Sequence, residues 1–92
     1  MTHSWTFLAP HGHVLLSIAR NPDARLRDIA AEVGLTERSI IAIVGDLVAA
    51  GYVSRRRVGR RNHYDVHADR PLRHSQQEGV DTKALLELLG RH

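Results

Sequence analysis

Residues 26–67 carry the pattern that most constrains the fold, since two helical patterns are followed at once by two strand patterns. The helical patterns meet at Gly34-Leu35, and the second ends at Gly51, as expected for glycine at the end of a helix. The strand patterns bracket the turn Val58-Gly59-Arg60-Arg61, where Gly59 allows the chain to reverse. A pair of helices and a β-hairpin are therefore expected to pack together as one unit.

The hairpin is rich in arginine. Five arginines fall within seven positions and no acid lies among them: Arg55, Arg56, Arg57, Arg60 and Arg61. The formal net charge of the whole chain is only +3, so the positive charge is concentrated in this patch. A local cationic patch beside a helix that can enter a groove predicts binding to double-stranded DNA.

Apolar spacing and capping residues predict the helices. The first starts at Pro10, which suits a first helical turn, and stops at Asn21-Pro22 because the residue before a proline avoids the α conformation. The second spans about 28–33, and the third opens with Thr36 as its N-cap. The third helix is expected to bury a stripe of side chains at helical spacing: Ile40, Val44, Leu47 and Val48.

Strands at about 52–57 and 62–67 are predicted to form the hairpin. Three of its side chains are expected to face the core: Val53, Tyr64 and Val66. Two further extended pieces are predicted, one over residues 3–8 and a short one at Leu26 that pairs with the hairpin.

The length of 92 residues predicts a single domain over 1–92, mainly α with a small β-hairpin (α+β). Its core is expected over 10–67, followed by a polar connector over 68–80 and a final helix over 81–90, capped by Asp81. A chain this short buries only roughly 60–65% of its unfolded surface, so a second subunit would help to complete its core.

The composition excludes several classes of function. The absence of cysteine excludes disulfides, thiolate metal sites and thiol catalysis. No apolar run approaches the ~18–20 residues of a membrane span and the N-terminus has no signal pattern, so a cytoplasmic, nucleoid-associated protein is expected. No glycine-rich phosphate loop, nucleophile elbow or carboxylate pair in a shared helical register is present, so neither an enzyme nor a cofactor is expected.

Four motifs give the chain a family resemblance: Leu26-Arg27-Asp28-Ile29-Ala30, Gly34-Leu35-Thr36, Leu47-Val48-Ala49-Ala50-Gly51-Tyr52-Val53 and Gly59-Arg60-Arg61-Asn62-His63-Tyr64. On these residues the chain resembles the winged helix–turn–helix transcriptional regulators of the MarR and ArsR-like groups, especially the small stand-alone regulators of high-GC bacteria. With the preceding helix, the likeness covers about residues 10–67, leaving the N-terminal strand and the C-terminal helix as additions. It implies dimeric binding to duplex DNA, with the third helix in the major groove and the hairpin, or wing, against a backbone or minor groove.

On this interpretation the recognition helix spans 36–50 and the wing spans 55–63. The residues expected near the bases are Thr36, Glu37, Arg38, Ile41 and Ala42. Those expected to contact the backbone or minor groove are Arg55, Arg56, Arg57, Arg60, Arg61, Asn62 and His63. Because Ile41 and Ala42 cannot form bidentate hydrogen bonds with bases, sequence selectivity is expected to be modest or to lean on the wing and on DNA shape.

The two chain ends are expected to hold a homodimer together. A final helix this short does not persist alone in water, so its leucines must dock on another surface. The predicted dimer contacts are Trp5 and Phe7 at one end and Leu85, Leu86, Leu88 and Leu89 at the other.

Two alternatives stay open. The first is a winged helix used for protein–protein contact through Ile41 and Ala42, which salt would disturb less than DNA binding. The second is a DNA-binding switch that responds to a metal or a small molecule, with Trp5 and Phe7 near a ligand pocket. The histidines that could bind metal are His11 and His13 with His3, or His63 and His67 with His74. Neither set has the spacing that marks a metal site, so surface histidines are the better interpretation and no metal is expected.

Overall fold

A computed structural model describes residues 5–90 of the chain. Its elements, in chain order, are α1 (Pro10–Arg20), α2 (Leu26–Val33), α3 (Glu37–Ala49), β1 (Val53–Val58), β2 (Arg61–Val66), a 3₁₀ turn (Ser75–Gln77) and α4 (Thr82–Leu89). The predicted α+β architecture of helices and one antiparallel hairpin is confirmed. None of the helices within residues 5–90 combines the length and apolarity needed to cross a membrane.

Several helix ends lie at the residues that the sequence marks as caps. The side-chain oxygens of Thr36 and Asp81 accept backbone N–H groups three residues further on, at 3.1 and 3.2 Å, and so start α3 and α4. Gly34 follows α2 and Gly51 follows α3, each with a φ of 83°. An L side chain is costly in this left-handed conformation, which explains why both positions carry glycine.

The prediction of an extended piece at Leu26 is wrong, because Leu26 is the first residue of α2. Arg25 adopts the extended N-cap conformation, and its carbonyl accepts two N–H groups of the first helical turn. The hairpin hydrogen-bonds instead to the preceding loop, where the Pro22 carbonyl accepts the Tyr64 N–H at 2.9 Å. The chain therefore approaches the hairpin earlier than the sequence pattern indicates.

The prediction of a strand over residues 3–8 is also wrong for the part that the structure describes, since residues 5–9 are irregular. Residues 3 and 4 lie outside the described residues. Within residues 5–90 the hairpin forms a sheet of two strands, which pair with each other and leave this segment unpaired. The rings of Trp5 and Phe7 pack edge to face, with centroids 5.1 Å apart, and are 78% and 94% exposed.

One hydrophobic core joins α1, α2, α3 and the base of the hairpin. The predicted stripe on α3 is buried as expected, with Val48 at its edge, and Ile43 joins it. From the hairpin, Val53 and Tyr64 are buried and Val66 packs beside them, as predicted. Burial of the Tyr64 ring fixes the base of the wing against the helices, because a buried aromatic side chain contributes several kcal/mol of packing.

The connector after the hairpin is tied to the end of α3. Thr82 is fully buried, and both its hydroxyl and its N–H donate to the Arg70 carbonyl, at 2.7 and 2.8 Å. The Arg70 guanidinium lies over the Tyr52 ring, 5.9 Å from its centroid, and donates to the Ala50 carbonyl at 3.3 Å. These contacts satisfy a carbonyl at the C-terminal end of α3 and hold α4 against the helix bundle.

Candidate nucleic-acid interface

The outer face of α3 is set by the residues that the helix buries. Because Ile40, Ile43, Val44 and Leu47 face the core, the opposite side of the helix is exposed. This face comprises Glu37, Arg38, Ile41, Ala42, Gly45, Asp46 and Ala49. Ile41 is 56% exposed, so the helical register assumed from the sequence is confirmed.

The exposed face of α3 carries one acid and one base near its start. Glu37 and Arg38 are its first exposed residues, and among residues 5–90 Arg38 makes no ion pair. Asp46, a possible partner for Arg38, is instead hydrogen-bonded to His11 at 2.8 Å. Arg38 is therefore available to a base or a phosphate, whereas Ile41 and Ala42 offer apolar contacts only.

The wing presents arginine on both faces of the hairpin. The strands pair in the register Val53↔Val66 to Val58↔Arg61, so directly paired side chains share a face. One face carries Arg55, Arg57 and Asn62, and the other carries Arg56, Arg61 and His63. Gly59 and Arg60 form a two-residue turn, in which Gly59 has the positive φ of 64° that a type II′ turn requires. The tip of the wing is cationic from every side.

Two carboxylates outside the arginine-rich stretch approach the wing. Asp65 binds Arg56, with Arg56 Nε 3.2 Å from Asp65 Oδ2. Asp23 approaches His63, with 2.7 Å between Asp23 Oδ1 and His63 Nδ1. The charge of Arg56 is therefore partly offset within the chain, and the remaining positive charge of the wing is concentrated on the other arginines.

A groove of about 430 Å³ joins the wing tip to the helix pair. Four arginines line it, namely Arg25 and Arg27 at the start of α2 and Arg60 and Arg61 of the wing, together with Asn62. Two carboxylates, from Asp23 and Glu37, also line it. The sequence pattern does not indicate Arg25 and Arg27, because it favours a short extended piece at Leu26 that pairs with the hairpin. The groove runs from the first turn of α3 to the wing, which links the two predicted DNA-contacting elements.

The histidines of both candidate metal sets are distributed among separate contacts. His11 bonds to Asp46 and His13 to Thr6, while His3 lies outside the described residues. His67 lies 2.5 Å from the Ser54 hydroxyl, and His74 accepts an N–H of the 3₁₀ turn. Over residues 5–90, no cluster of three or more potential ligands is gathered.

The residues predicted to form a dimer contact are only partly brought together. Leu86 packs against the core of its own chain, and Leu88 is 74% exposed. Leu89 and Phe7 line one cleft between the N-terminal segment, α1 and α2, whose other lining residues include Leu16 and Arg20. The final helix thus docks partly on its own chain and leaves an apolar edge in solvent.

A helix pair that meets at a tight turn, followed by an arginine-rich β-hairpin, defines a winged helix–turn–helix domain. The model of the MarR family matches residues 6–61, which is more than half of the chain. The chain therefore belongs to the MarR family.

Solved structures with the same fold include two crystal structures of the PcaV transcriptional regulator from Streptomyces coelicolor. The first is 26% identical, with a TM-score of 0.55, and the alignment covers 64% of this chain and 46% of PcaV. The second, in complex with its natural ligand, is 25% identical, with a TM-score of 0.57 and coverages of 65% and 45%. The chain spans a little under half the length of these relatives. No curated protein sequence matches it.

Proposed function

We propose that this chain binds double-stranded DNA and acts as a transcriptional regulator, with α3 in the major groove and the wing on the backbone or minor groove. The observation that carries this proposal is the arginine-lined groove between the first turn of α3 and the wing tip. Family membership and the likeness to PcaV, itself a transcriptional regulator, support it. The sequence predicts a bacterial protein, and a bacterial DNA-binding regulator acts in the cytoplasm, where the chromosome lies.

The division of contacts follows from the chemistry of each surface. Phosphate contacts by arginine supply affinity that does not depend on sequence, and here they fall to the wing and the groove. Base contacts fall to α3, where Arg38 can pair with guanine, and Ile41 and Ala42 can touch thymine methyl groups. We infer a semi-specific DNA-binding protein whose affinity is mostly electrostatic.

Salt dependence tests this proposal. If the wing and the groove contact about four phosphates, the logarithm of the association constant should fall with the logarithm of salt concentration with a slope of roughly −4. A fluorescence anisotropy titration of a labelled duplex at several salt concentrations measures it. A nearly flat slope, or no DNA binding at low salt, contradicts the proposal and favours the protein-contact alternative through Ile41 and Ala42. Genome-wide binding that shows no enriched sites would contradict specific regulation.

We also propose that the chain forms a homodimer through its ends, as the sequence predicts. The exposed Leu88 of α4 and the cleft that Leu89 shares with Phe7 support this contact. Two recognition helices would then lie about 34–36 Å apart and meet a pseudo-palindromic site. Truncation before α4 is a poor test, because it also removes the buried Thr82 and so damages the fold.

A single exposed substitution tests the dimer without this problem. Leu88→Arg places a charge on the exposed edge of α4. In a sedimentation experiment at micromolar concentration, this variant should be a monomer, whereas the unmodified chain should be a dimer. Glu87→Ala, at an exposed position on the same helix, is the matched control and should remain dimeric. A monomeric unmodified chain, or a Leu88→Arg variant that dimerises fully, contradicts the proposed contact.

A second candidate function is response to a small molecule, favoured by the cleft of about 610 Å³ in which Arg20 lies among Phe7, Leu8, Leu16 and Leu89. PcaV was crystallised with its natural ligand, which supports the same property in this chain. The ionisable groups of this mainly apolar cleft are Arg20, His13 and Glu32, and Arg20 can pair with a carboxylate on an apolar molecule. A panel of aromatic and aliphatic carboxylates should then contain a member that raises Tm in the unmodified chain and fails to do so in Arg20→Ala. A panel without any such shift contradicts this candidate.

A further inference from the structure

His63 of β2 faces two carboxylates, one at each ring nitrogen. Its Nδ1 lies 2.7 Å from Asp23 Oδ1, and its Nε2 lies 3.5 Å from Asp65 Oδ1. Its side chain is only 22% exposed. A neutral imidazole has one N–H donor and one lone pair, so only the protonated ring can point a donor at both carboxylates. The contact is therefore better formed when His63 is charged.

Asp23, the partner of His63, is itself held in place by a hydrogen bond within its own loop. The N–H of Asp23 donates to the Asn21 side chain at 3.3 Å, which shapes the loop between α1 and α2. One residue away along each segment, the Tyr64 N–H donates to the Pro22 carbonyl at 2.9 Å. Two adjacent contacts thus join β2 of the wing to this loop, although the residues involved are about forty positions apart in sequence.

We propose that His63 is a proton-dependent positioning residue for the wing, with Asp23 as its partner. This inference rests on the proposed DNA binding and adds a form of regulation to it. Protonated His63 fastens the wing to the loop and neutralises Asp23, an acid that lines the arginine groove. When His63 loses its proton, the neutral ring can still donate one N–H to Asp23, but it has no donor left for Asp65 and no longer neutralises Asp23, whose negative charge then faces the phosphates. DNA affinity therefore falls as pH rises and His63 loses its proton.

Other charged groups act on this pair, and their positions set its strength. On the same face of the hairpin, Arg56 lies directly across from His63 and Arg61 lies two positions before it. Both are cations that oppose protonation, but Asp65 binds Arg56 at 3.2 Å and offsets its charge. Around Asp23, the groove adds four further charged side chains: Arg25, Arg27, Glu37 and Arg60. The bound phosphate would add negative charge beside His63, so DNA binding and proton uptake support each other.

The first test needs no DNA. Hydrogen exchange of the Tyr64 amide reports the bond to Pro22, which lies next to the His63–Asp23 contact. At one mildly acidic pH, His63→Gln and Asp23→Asn should each speed this exchange several-fold relative to the unmodified chain. His67→Gln, directly after the end of β2, is the matched control, since His67 contacts Ser54 rather than the loop, and it should leave the Tyr64 rate unchanged. Unchanged exchange in His63→Gln and Asp23→Asn would overturn the positioning role.

The second test measures DNA affinity as a function of pH at constant salt. Between pH 8 and pH 6, the affinity of the unmodified chain should rise roughly three- to tenfold, as expected for uptake of up to about one proton on binding. His63→Gln and Asp23→Asn should flatten this dependence, and His67→Gln should keep it. A dependence that survives in both His63→Gln and Asp23→Asn, or that is missing from the unmodified chain, would overturn the proton dependence. A chain that binds no DNA at any pH would contradict the proposed function instead, while the exchange experiment still decides whether the pair positions the wing.

Discussion

The two elements proposed to contact DNA differ in charge. The outer face of α3 begins with one acid and one base, Glu37 and Arg38, and continues with the uncharged Ile41, Ala42 and Gly45. The wing has arginines on both faces and in its turn. A helix with this surface can fit closely against a groove but gains little electrostatic attraction, whereas the wing attracts any phosphate backbone. The comparison indicates that fit and attraction are divided between separate elements.

The two elements also differ in how the fold supports them. α3 buries four side chains, and Arg70 of the connector donates to a carbonyl at its C-terminal end. The wing is buried only at its base, through Val53 and Tyr64, and most of β1 is exposed. The position of the wing therefore depends on a few contacts, among them the one between His63 and Asp23 and the one between the Tyr64 N–H and the Pro22 carbonyl.

The largest expected effect comes from placing a negative charge on the exposed face of α3. Ile41→Asp should lower DNA affinity by more than about a hundredfold, because a carboxylate facing the groove is repelled by the DNA and loses the apolar contact. Ile41 is exposed, so the free energy of unfolding should change by less than about 1 kcal/mol. Anisotropy titration and thermal unfolding of the same sample measure both quantities.

The control for Ile41→Asp is Ser75→Asp, which adds the same charge on the exposed connector. It should weaken DNA binding by no more than about twofold, because the connector is not among the elements proposed to contact DNA and salt screens charges that lie apart from the contact. Equal weakening by both variants would mean that only net charge matters, and the contrast between α3 and the wing would fail. A large loss of stability in Ile41→Asp would contradict the exposed position of this side chain.

The next effect concerns attraction by the wing. Arg60→Ala with Arg61→Ala should weaken binding to every duplex roughly ten- to hundredfold and make the salt slope smaller by up to about 2 units, one for each lost phosphate contact. Arg73→Ala, at an exposed position on the connector, is the control and should preserve the slope. If the wing substitutions weaken binding to only one DNA sequence, the wing contacts bases, and the proposed division of roles between α3 and the wing is contradicted.

A smaller effect is expected on the side of the groove that α2 forms. Arg27→Ala should weaken binding a few-fold and make the salt slope smaller by about 1 unit, because one phosphate contact is lost. The same duplexes and the same Arg73→Ala control serve here. An unchanged slope would confine the phosphate contacts to the wing and show that DNA passes outside the groove.

Much of the fold was predictable because its signals are local. Thr36 starts a helix through a bond to a residue three positions away, and Gly34 and Gly51 end helices through their own backbone conformation. The register of the hairpin follows from its turn at Gly59 and from the burial of Val53 and Tyr64. Each of these features depends on a short stretch of chain, so the sequence alone indicates it.

The errors arose where a short pattern was interpreted without its neighbours. Trp5 and Phe7 alternate as strand residues do, but a strand needs a partner, and the two-stranded hairpin gives this segment none. The residues around Leu26 also fit a short strand pattern. In the structure, however, Arg25 is an extended N-cap and Leu26 begins α2. Two or three residues of pattern are too few to separate strand from helix or loop.

The candidate site was predictable in outline but not in its contacts. The arginines of the wing stand out in the sequence, whereas their approach to Arg25 and Arg27 results from packing between distant segments. The contact between His63 and Asp23 likewise joins residues 40 positions apart. Only the folded chain brings such groups together, so the groove and the proton-dependent contact could not have been read from spacing.

The smallest predicted effect tests the fit of α3 at Gly45. This glycine lies in the middle of the helix on its exposed face, and a Cβ built there has no atom within 4 Å. Glycine at such a position costs roughly 0.5–1 kcal/mol relative to alanine, so the fold alone would favour alanine. A close approach of DNA to the helix would explain why no side chain projects there.

Gly45→Ala should therefore change stability and DNA affinity in opposite directions. The free energy of unfolding should rise by about 0.5–1 kcal/mol, which raises Tm by several degrees in a domain of this size. DNA affinity should fall a few-fold with an unchanged salt slope, because a methyl group interferes with fit and leaves every phosphate contact in place. A stabilised variant that binds DNA as well as the unmodified chain would show that α3 does not approach the groove closely at Gly45. The proposed contrast, in which α3 provides close fit and the wing provides electrostatic attraction, would then be contradicted.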